Sequence, residues 1–100
     1  MTILIIEDEP LVAKNIEKLV KELLPDALLH GPLASVENAL KWFDEHPEPD
    51  LILADIQLAD GVSFDIFQER ALNCPIIFTT AYDEYAIRAF KLNSIDYLLK

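Results

Sequence analysis

Glu7 and Asp8 close the apolar run Ile3-Leu4-Ile5-Ile6, and Asp55 closes a second one, Leu51-Ile52-Leu53-Ala54. Runs of this kind are predicted strands of a sheet covered on both faces, so three carboxylates are expected at one end of one sheet. Two unit charges about 4 Å apart repel by roughly 4 kcal/mol at an effective dielectric near 20. A divalent cation placed among them relieves that repulsion. Hard oxygen donors suit Mg²⁺, which is held by a few carboxylates, keeps waters and meets a phosphoryl oxygen. A carboxylate can also attack phosphorus and form an acyl phosphate. The phosphoryl oxygens then need partners, and a hydroxyl such as Thr80 and an ammonium such as Lys100 can provide them.

The elements that must position these groups follow from short apolar runs alternating with stretches of helical period, the pattern of an α/β parallel sheet with helices on both faces. Strands are expected at Ile3 to Ile6, Ala27 to Leu29, Leu51 to Ala54, Pro75 to Thr79 and Ile95 to Leu99. Pro10 fits the first turn of a helix that buries Val12, Ile16, Leu19, Val20 and Leu23 and stops at Pro25. Ser35 is the expected N-cap of a second helix through Val36, Ala39, Leu40 and Phe43, which ends at Pro47 and Pro49. A loop through Asp60-Gly61 leads to a short helix around Phe64 and Phe67, with Ser63 as its cap. Tyr82, Ala86, Ala89 and Phe90 mark a fourth helix. In open parallel sheets the site lies beyond the carboxyl ends of the strands, which is where Glu7, Asp8, Asp55, Thr80 and Lys100 fall.

Composition narrows the function classes. One hundred residues with 52% hydrophobic and 26% charged side chains make one folded domain with room for one core. The net charge of −10, from 18 acidic and 8 basic residues, argues against direct binding of nucleic acid or an anionic membrane by this segment. Met1 leads at once into the first strand, with no signal-peptide pattern and no apolar run of transmembrane length, so a cytoplasmic location is expected. Cys74 is alone and reads as a small packing residue.

The run Ile3-Leu4-Ile5-Ile6-Glu7-Asp8-Glu9-Pro10, the segment Leu53-Ala54-Asp55-Ile56-Gln57-Leu58, the pair Thr80-Ala81 and the stretch Asp96-Tyr97-Leu98-Leu99-Lys100 together resemble the receiver domain of bacterial two-component response regulators. The resemblance covers the whole chain. It implies a flavodoxin-like (CheY-like), doubly wound parallel five-stranded sheet of order 2-1-3-4-5. It implies Asp55 as phosphoacceptor, Asp8 as direct metal ligand, Glu7 as a ligand acting mainly through water, and the Gln57 backbone carbonyl as a further donor to Mg²⁺. Thr80 matches the hydroxyl that bonds the phosphoryl group and moves on activation, Lys100 the cation that pairs with it, and Tyr97 the aromatic whose rotamer accompanies the active state. The stretch Ala81-Tyr82-Asp83-Glu84-Tyr85-Ala86 leading to Ala89-Phe90-Lys91 is similar to receivers that precede a LytTR-type DNA-binding domain. Such a domain would lie outside this chain and control transcription.

The pattern also departs from the family's. Receivers commonly continue from the lysine into a proline and a fifth helix, and this chain ends at Lys100, so an apolar groove is expected beside the first helix. Ala59 stands where a proline is common and Ser63 where a glycine often falls. The expected partners are a sensor histidine kinase and, through the fourth helix and fifth strand, a second copy of the chain; that helix and strand are also the expected output face, which includes Ile87, Lys91 and Tyr97.

Each of these groups also has a plainer reading. Glu7-Asp8-Glu9 alone would be a charge run at a helix N-terminus, and Asp55 alone a strand-ending residue. Thr79 reads as a β-branched strand residue. His30 and His46 read as structural or surface groups, with no second ligand at metal spacing along the chain. The leading expectation is a phosphorylation-controlled switch and not an enzyme acting on an external substrate. The alternative is a receiver-like interaction or dimerisation module that is never phosphorylated. An Asp-nucleophile phosphatase would want a second acid at position 57, where Gln57 stands. A dinucleotide-binding protein would want a Gly-rich first turn.

Overall fold

The computed structural model describes residues 1–70, 72–80 and 96–99, and of Thr80 and 96–99 it describes the backbone. The elements are β1 (Thr2–Ile6), α1 (Pro10–Leu23), β2 (Leu28–Leu33), α2 (Val36–Glu45), β3 (Leu51–Asp55), β4 (Gln57–Leu58), β5 (Gly61–Val62), α3 (Phe64–Glu69), β6 (Ile76–Thr80) and β7 (Asp96–Leu99). The main sheet has five strands in the order β2-β1-β3-β6-β7, all pairs parallel. This is the expected 2-1-3-4-5 order, because β6 and β7 are the fourth and fifth strands of that sheet.

Side chains alternate faces along a strand, and the central strand β1 has both faces covered. Ile3, Leu4, Ile5 and Ile6 are all fully buried. Leu4 and Ile6 belong to a core with Ile52, Ala54 and Phe78, closed over by Ala39 of α2 and by Phe64, Ile66 and Phe67 of α3. Phe64 and Phe67 meet Phe78 edge to face, with ring centres 5.0 and 5.7 Å apart, a favoured arrangement of aromatic quadrupoles. Ile3 and Ile5 face the other way, the side on which α1 buries Ala13 and Val20.

Four local expectations need correction. Leu19 and Leu23 were expected on the buried stripe of α1, yet both are exposed, together with Leu11, Leu24 and Leu28, and the small Ala13 takes the inner position. The second strand runs to Leu33 instead of ending near Leu29, which places His30 inside it. Gly31 and Pro32 argue against a regular strand, and the structure accommodates them as a bulge: Leu4 pairs with His30 and Ile6 with Leu33, so three steps of β2 match two of β1. The loop after Asp55 is in fact a small antiparallel hairpin, β4 with β5. Ser63 stands at the start of α3 but makes no capping bond. Its buried hydroxyl has no hydrogen-bond partner among the described residues.

The start of α2 is capped twice. Ser35 Oγ accepts from the Asn38 N–H at 3.0 Å, as its position predicts. Asp60, from the hairpin tip, accepts from the Val36 N–H at 2.6 Å and the Glu37 N–H at 3.1 Å. A carboxylate at a helix N-terminus satisfies orphan donors and opposes the positive end of the dipole. The Val36 bond does most to lower the Asp60 pKa, desolvation opposes it, and the Glu37 bond adds to the lowering. The stabilisation is therefore complete above the ordinary value of 3.8 and is lost as pH falls through the lower folded value. Asp60→Ala is expected to cost about 1 kcal/mol at neutral pH, and less in high salt because the group is exposed. Urea unfolding at pH 7 and pH 3 checks this, with a smaller difference expected at pH 3.

Candidate functional site

β1 and β3 are neighbours in register, Ile3 opposite Leu51 through Ile6 opposite Ala54. Their carboxyl ends therefore lie side by side, and the residues that follow Ile6 and Ala54 come together. Glu7, Asp8 and Asp55 each offer a carboxylate oxygen, and these atoms lie within 4.8 Å of one another. Glu7 is 2% exposed, Asp55 is 6% exposed, and Asp8 is half-buried.

The backbone holds each of them. The Glu7 N–H donates to the Leu33 carbonyl at 2.9 Å, so the first bond after the β2 bulge fixes the start of the acidic pair. The Glu9 N–H donates to Glu7 Oε2 at 3.2 Å, turning the chain into α1, whose first turn begins at Pro10. Asp55 ends β3 and pairs with Thr79. Beyond it the Ile56 N–H donates to the Thr79 carbonyl at 3.2 Å, and the Ser63 N–H to the Ile56 carbonyl at 2.7 Å. These bonds return the hairpin to the end of the sheet. Gln57 opens that hairpin, opposite Val62.

At separations just under 5 Å each carboxylate pair repels by about 3–4 kcal/mol at an effective dielectric near 20. Two of the three groups lie where water reaches them poorly. A set of hard oxygen donors, partly buried and open on the Asp8 side, has the chemistry of a small divalent cation site that retains waters. The three residues fit such an ion.

Thr80 ends β6 beside the pairing partner of Asp55, and it is opposite Leu99 of β7. Its backbone is thus at the same end of the sheet as the acidic cluster. The side chains of Thr80 and Tyr97, and Lys100 as a whole, lie outside the described residues, as do Ile87, Lys91 and the expected fourth helix. Cys74 is a packing residue: burial, and then the Glu48 carboxylate near it, push its thiol up to about 12. A thiol so held supplies little of the thiolate that reacts with oxidants or binds metals.

The bulge in β2 and the Asp60 cap were missed in the sequence. Gly31 beside Pro32 was the available signal for the bulge, and nothing local to Asp60 points to a helix start more than twenty residues earlier. Among the described residues, no helix is long and apolar enough to cross a membrane.

Residues 3–100 match the family described as response regulator receiver domain. The sensory transduction protein LytT of Enterococcus faecalis is 36% identical over 103 residues, which cover 100% of this chain and 42% of that protein. The response regulatory domain of protein mrkE from Klebsiella pneumoniae has a similar structure, with a TM-score of 0.89 and 28% identity over 100% of this chain and 83% of that one. The response regulator TrrA from Thermotoga maritima, solved in complex with Mg(2+)-BeF, has a TM-score of 0.71 and 27% identity, covering 99% of this chain and 85% of that one. The chain spans about two fifths of the length of the first curated relatives it matches.

Proposed function

The chain belongs to the response regulator receiver domain family, and from that premise we propose that it is a phosphoacceptor switch in which Asp55 takes a phosphoryl group. The observation that carries this reading is the convergence of Glu7, Asp8 and Asp55 at the carboxyl ends of two adjacent strands. The donor is a sensor histidine kinase or a small acyl phosphate. A carboxylate oxygen of Asp55 bonds to phosphorus as the bond from phosphorus to the donor's nitrogen or oxygen breaks. The electron pair leaves with the donor atom, as the carboxylate of an acyl phosphate or as the lone pair of the kinase's imidazole nitrogen. Asp8 and Asp55 would hold Mg²⁺ directly, Glu7 would act mainly through water, and the Gln57 carbonyl would be a further donor. The cation supplies positive charge against the charge on the transferring phosphoryl oxygens. The Mg²⁺ in the TrrA structure supports that choice of metal.

Thr80 and Lys100 are the partners of the bound phosphoryl group. Its added charge and acceptor oxygens give the hydroxyl and the ammonium somewhere to move, which is how a local charge change biases a bistable surface. Tyr97 carries that bias to an output face on the fourth helix and fifth strand, where two copies of the chain meet. The similarity to LytT supports a LytTR-type output domain elsewhere in the protein, acting on transcription in the cytoplasm. The chain itself turns over no external substrate.

Incubation with acetyl phosphate and Mg²⁺, followed by intact mass measurement, tests this reading. One phosphoryl adduct is expected, and none when EDTA is present. A folded chain that binds Mg²⁺ and gains no adduct would exclude the phosphoacceptor role.

A further inference from the structure

The chain has two histidines, sixteen residues apart in sequence, and the fold brings them together. His30 sits in β2, the edge strand of the sheet, and His46 is the C-cap of α2. Their ring centres are 6.1 Å apart. Trp42, one turn before His46, lies against both: it stacks on His46 at 4.4 Å with planes 10° apart, and meets His30 at 5.5 Å. His30 is half-buried and His46 is exposed.

We propose that His30 and His46 form a binding site for a borderline divalent transition metal such as Zn²⁺ or Ni²⁺, separate from the carboxylate cluster and clipping the end of α2 to the sheet edge. Three observations support it. The first is reach: a metal–nitrogen bond of about 2.0–2.1 Å plus a ring radius of roughly 1.2 Å lets two imidazole centres share one ion at up to roughly 6.5 Å. The observed spacing lies inside that limit. A tetrahedral angle would bring the centres to roughly 5.2 Å, about 1 Å closer than they stand without the ion.

The second is orientation. His46 Nδ1 is 2.9 Å from the Trp42 carbonyl oxygen, and with the proton on Nδ1 that nitrogen donates while Nε2 keeps its lone pair for a metal. Ligating histidines commonly have their other ring nitrogen held in this way, which fixes tautomer and ring direction. The Trp42 stack holds the same ring in plane. The third is donor type. Imidazole nitrogen suits Zn²⁺ and Ni²⁺, whereas carboxylates and water suit Mg²⁺, so an excess of Mg²⁺ fills the carboxylate cluster without competing at the imidazoles. They are also apart in space: His30 pairs with Leu4, three residues before Glu7, or roughly 10 Å along the strand. Water fills the remaining coordination positions.

Trp42 is the single tryptophan of the chain, so its fluorescence reports on this site alone. Ni²⁺, a paramagnetic quencher, is titrated into the full chain in the presence of excess Mg²⁺. The expected result is saturable quenching with one equivalent bound, a midpoint raised at least tenfold in both His30→Gln and His46→Gln, and displacement by Zn²⁺. Circular dichroism of the two variants confirms that they fold. Quenching that does not saturate, that excess Mg²⁺ suppresses, or that survives either substitution with its midpoint unchanged would overturn the proposal. In that case the trio is aromatic packing.

Discussion

Asp55→Asn is expected to abolish acceptance of the phosphoryl group: no adduct from acetyl phosphate at any Mg²⁺ concentration, where the unsubstituted chain gains one. The amide matches the carboxylate in shape but lacks the anionic oxygen that attacks phosphorus. It also removes one of three negative charges packed within 4.8 Å. Each pair there repels by about 3–4 kcal/mol at an effective dielectric near 20, a repulsion that bound Mg²⁺ relieves. Mg²⁺ should then stabilise the parent more than the variant. An ion at one hundred times its dissociation constant adds about 2.7 kcal/mol to a folded state that alone binds it, and the variant has lost a ligand. The pair of readouts separates loss of chemistry from loss of fold. A variant that still gained the adduct would move the nucleophile to another residue.

Gly31→Ala is expected to be the most destabilising single-methyl change in the described part of the chain. Gly31 has φ of +96°, a conformation L side chains rarely adopt. A Cβ there would press into the Ile5 carbonyl oxygen, far inside van der Waals contact, and would lie 3.1 Å from the Leu33 nitrogen. Both obstacles are backbone of the central sheet, so neither can swing aside. Strain and steric conflict together should cost on the order of 3 kcal/mol, a large share of the roughly 5–15 kcal/mol by which domains of this kind are stable. Because Leu33 is the residue that accepts from the Glu7 N–H, the same substitution should weaken Mg²⁺ binding in whatever fraction remains folded. Gly61→Ala is the comparison: its φ of +156° also disfavours a side chain, but a Cβ there meets nothing nearer than the Val36 side chain at 3.6 Å, so it carries the conformational cost without the clash. Urea unfolding of the two variants side by side should rank them in that order.

The parts of the fold that were legible in the sequence are those that rest on periodicity. The unbroken apolar runs ending at Ile6 and Ala54 are buried strands, and the carboxylates that follow each of them meet, because parallel neighbours place their carboxyl ends together. Pro10 and Ser35 mark helix starts for reasons that operate within a few residues. What sequence reading lost depends on contacts between distant segments. Leu19 and Leu23 fit the helical period of α1, yet the helix buries Ala13 and Val20 and leaves both leucines exposed. Asp60 looks like a turn residue until the hairpin carries it to the start of α2. The bulge at Gly31 appears only when β2 is laid against β1. His30 and His46 have no metal-ligand spacing in sequence and become neighbours only through the packing of α2 on the edge strand.

The most direct test of the central claim is to locate the phosphoryl group. The chain is treated with acetyl phosphate and Mg²⁺, then reduced with borohydride, which converts an aspartyl phosphate to homoserine, and the modified residue is read from peptide mass spectra. Homoserine at position 55 alone, absent when metal is withheld, is the predicted result. Homoserine at position 8, a reduced glutamate at position 7, or no reduced residue in a folded, Mg²⁺-bound chain would contradict it.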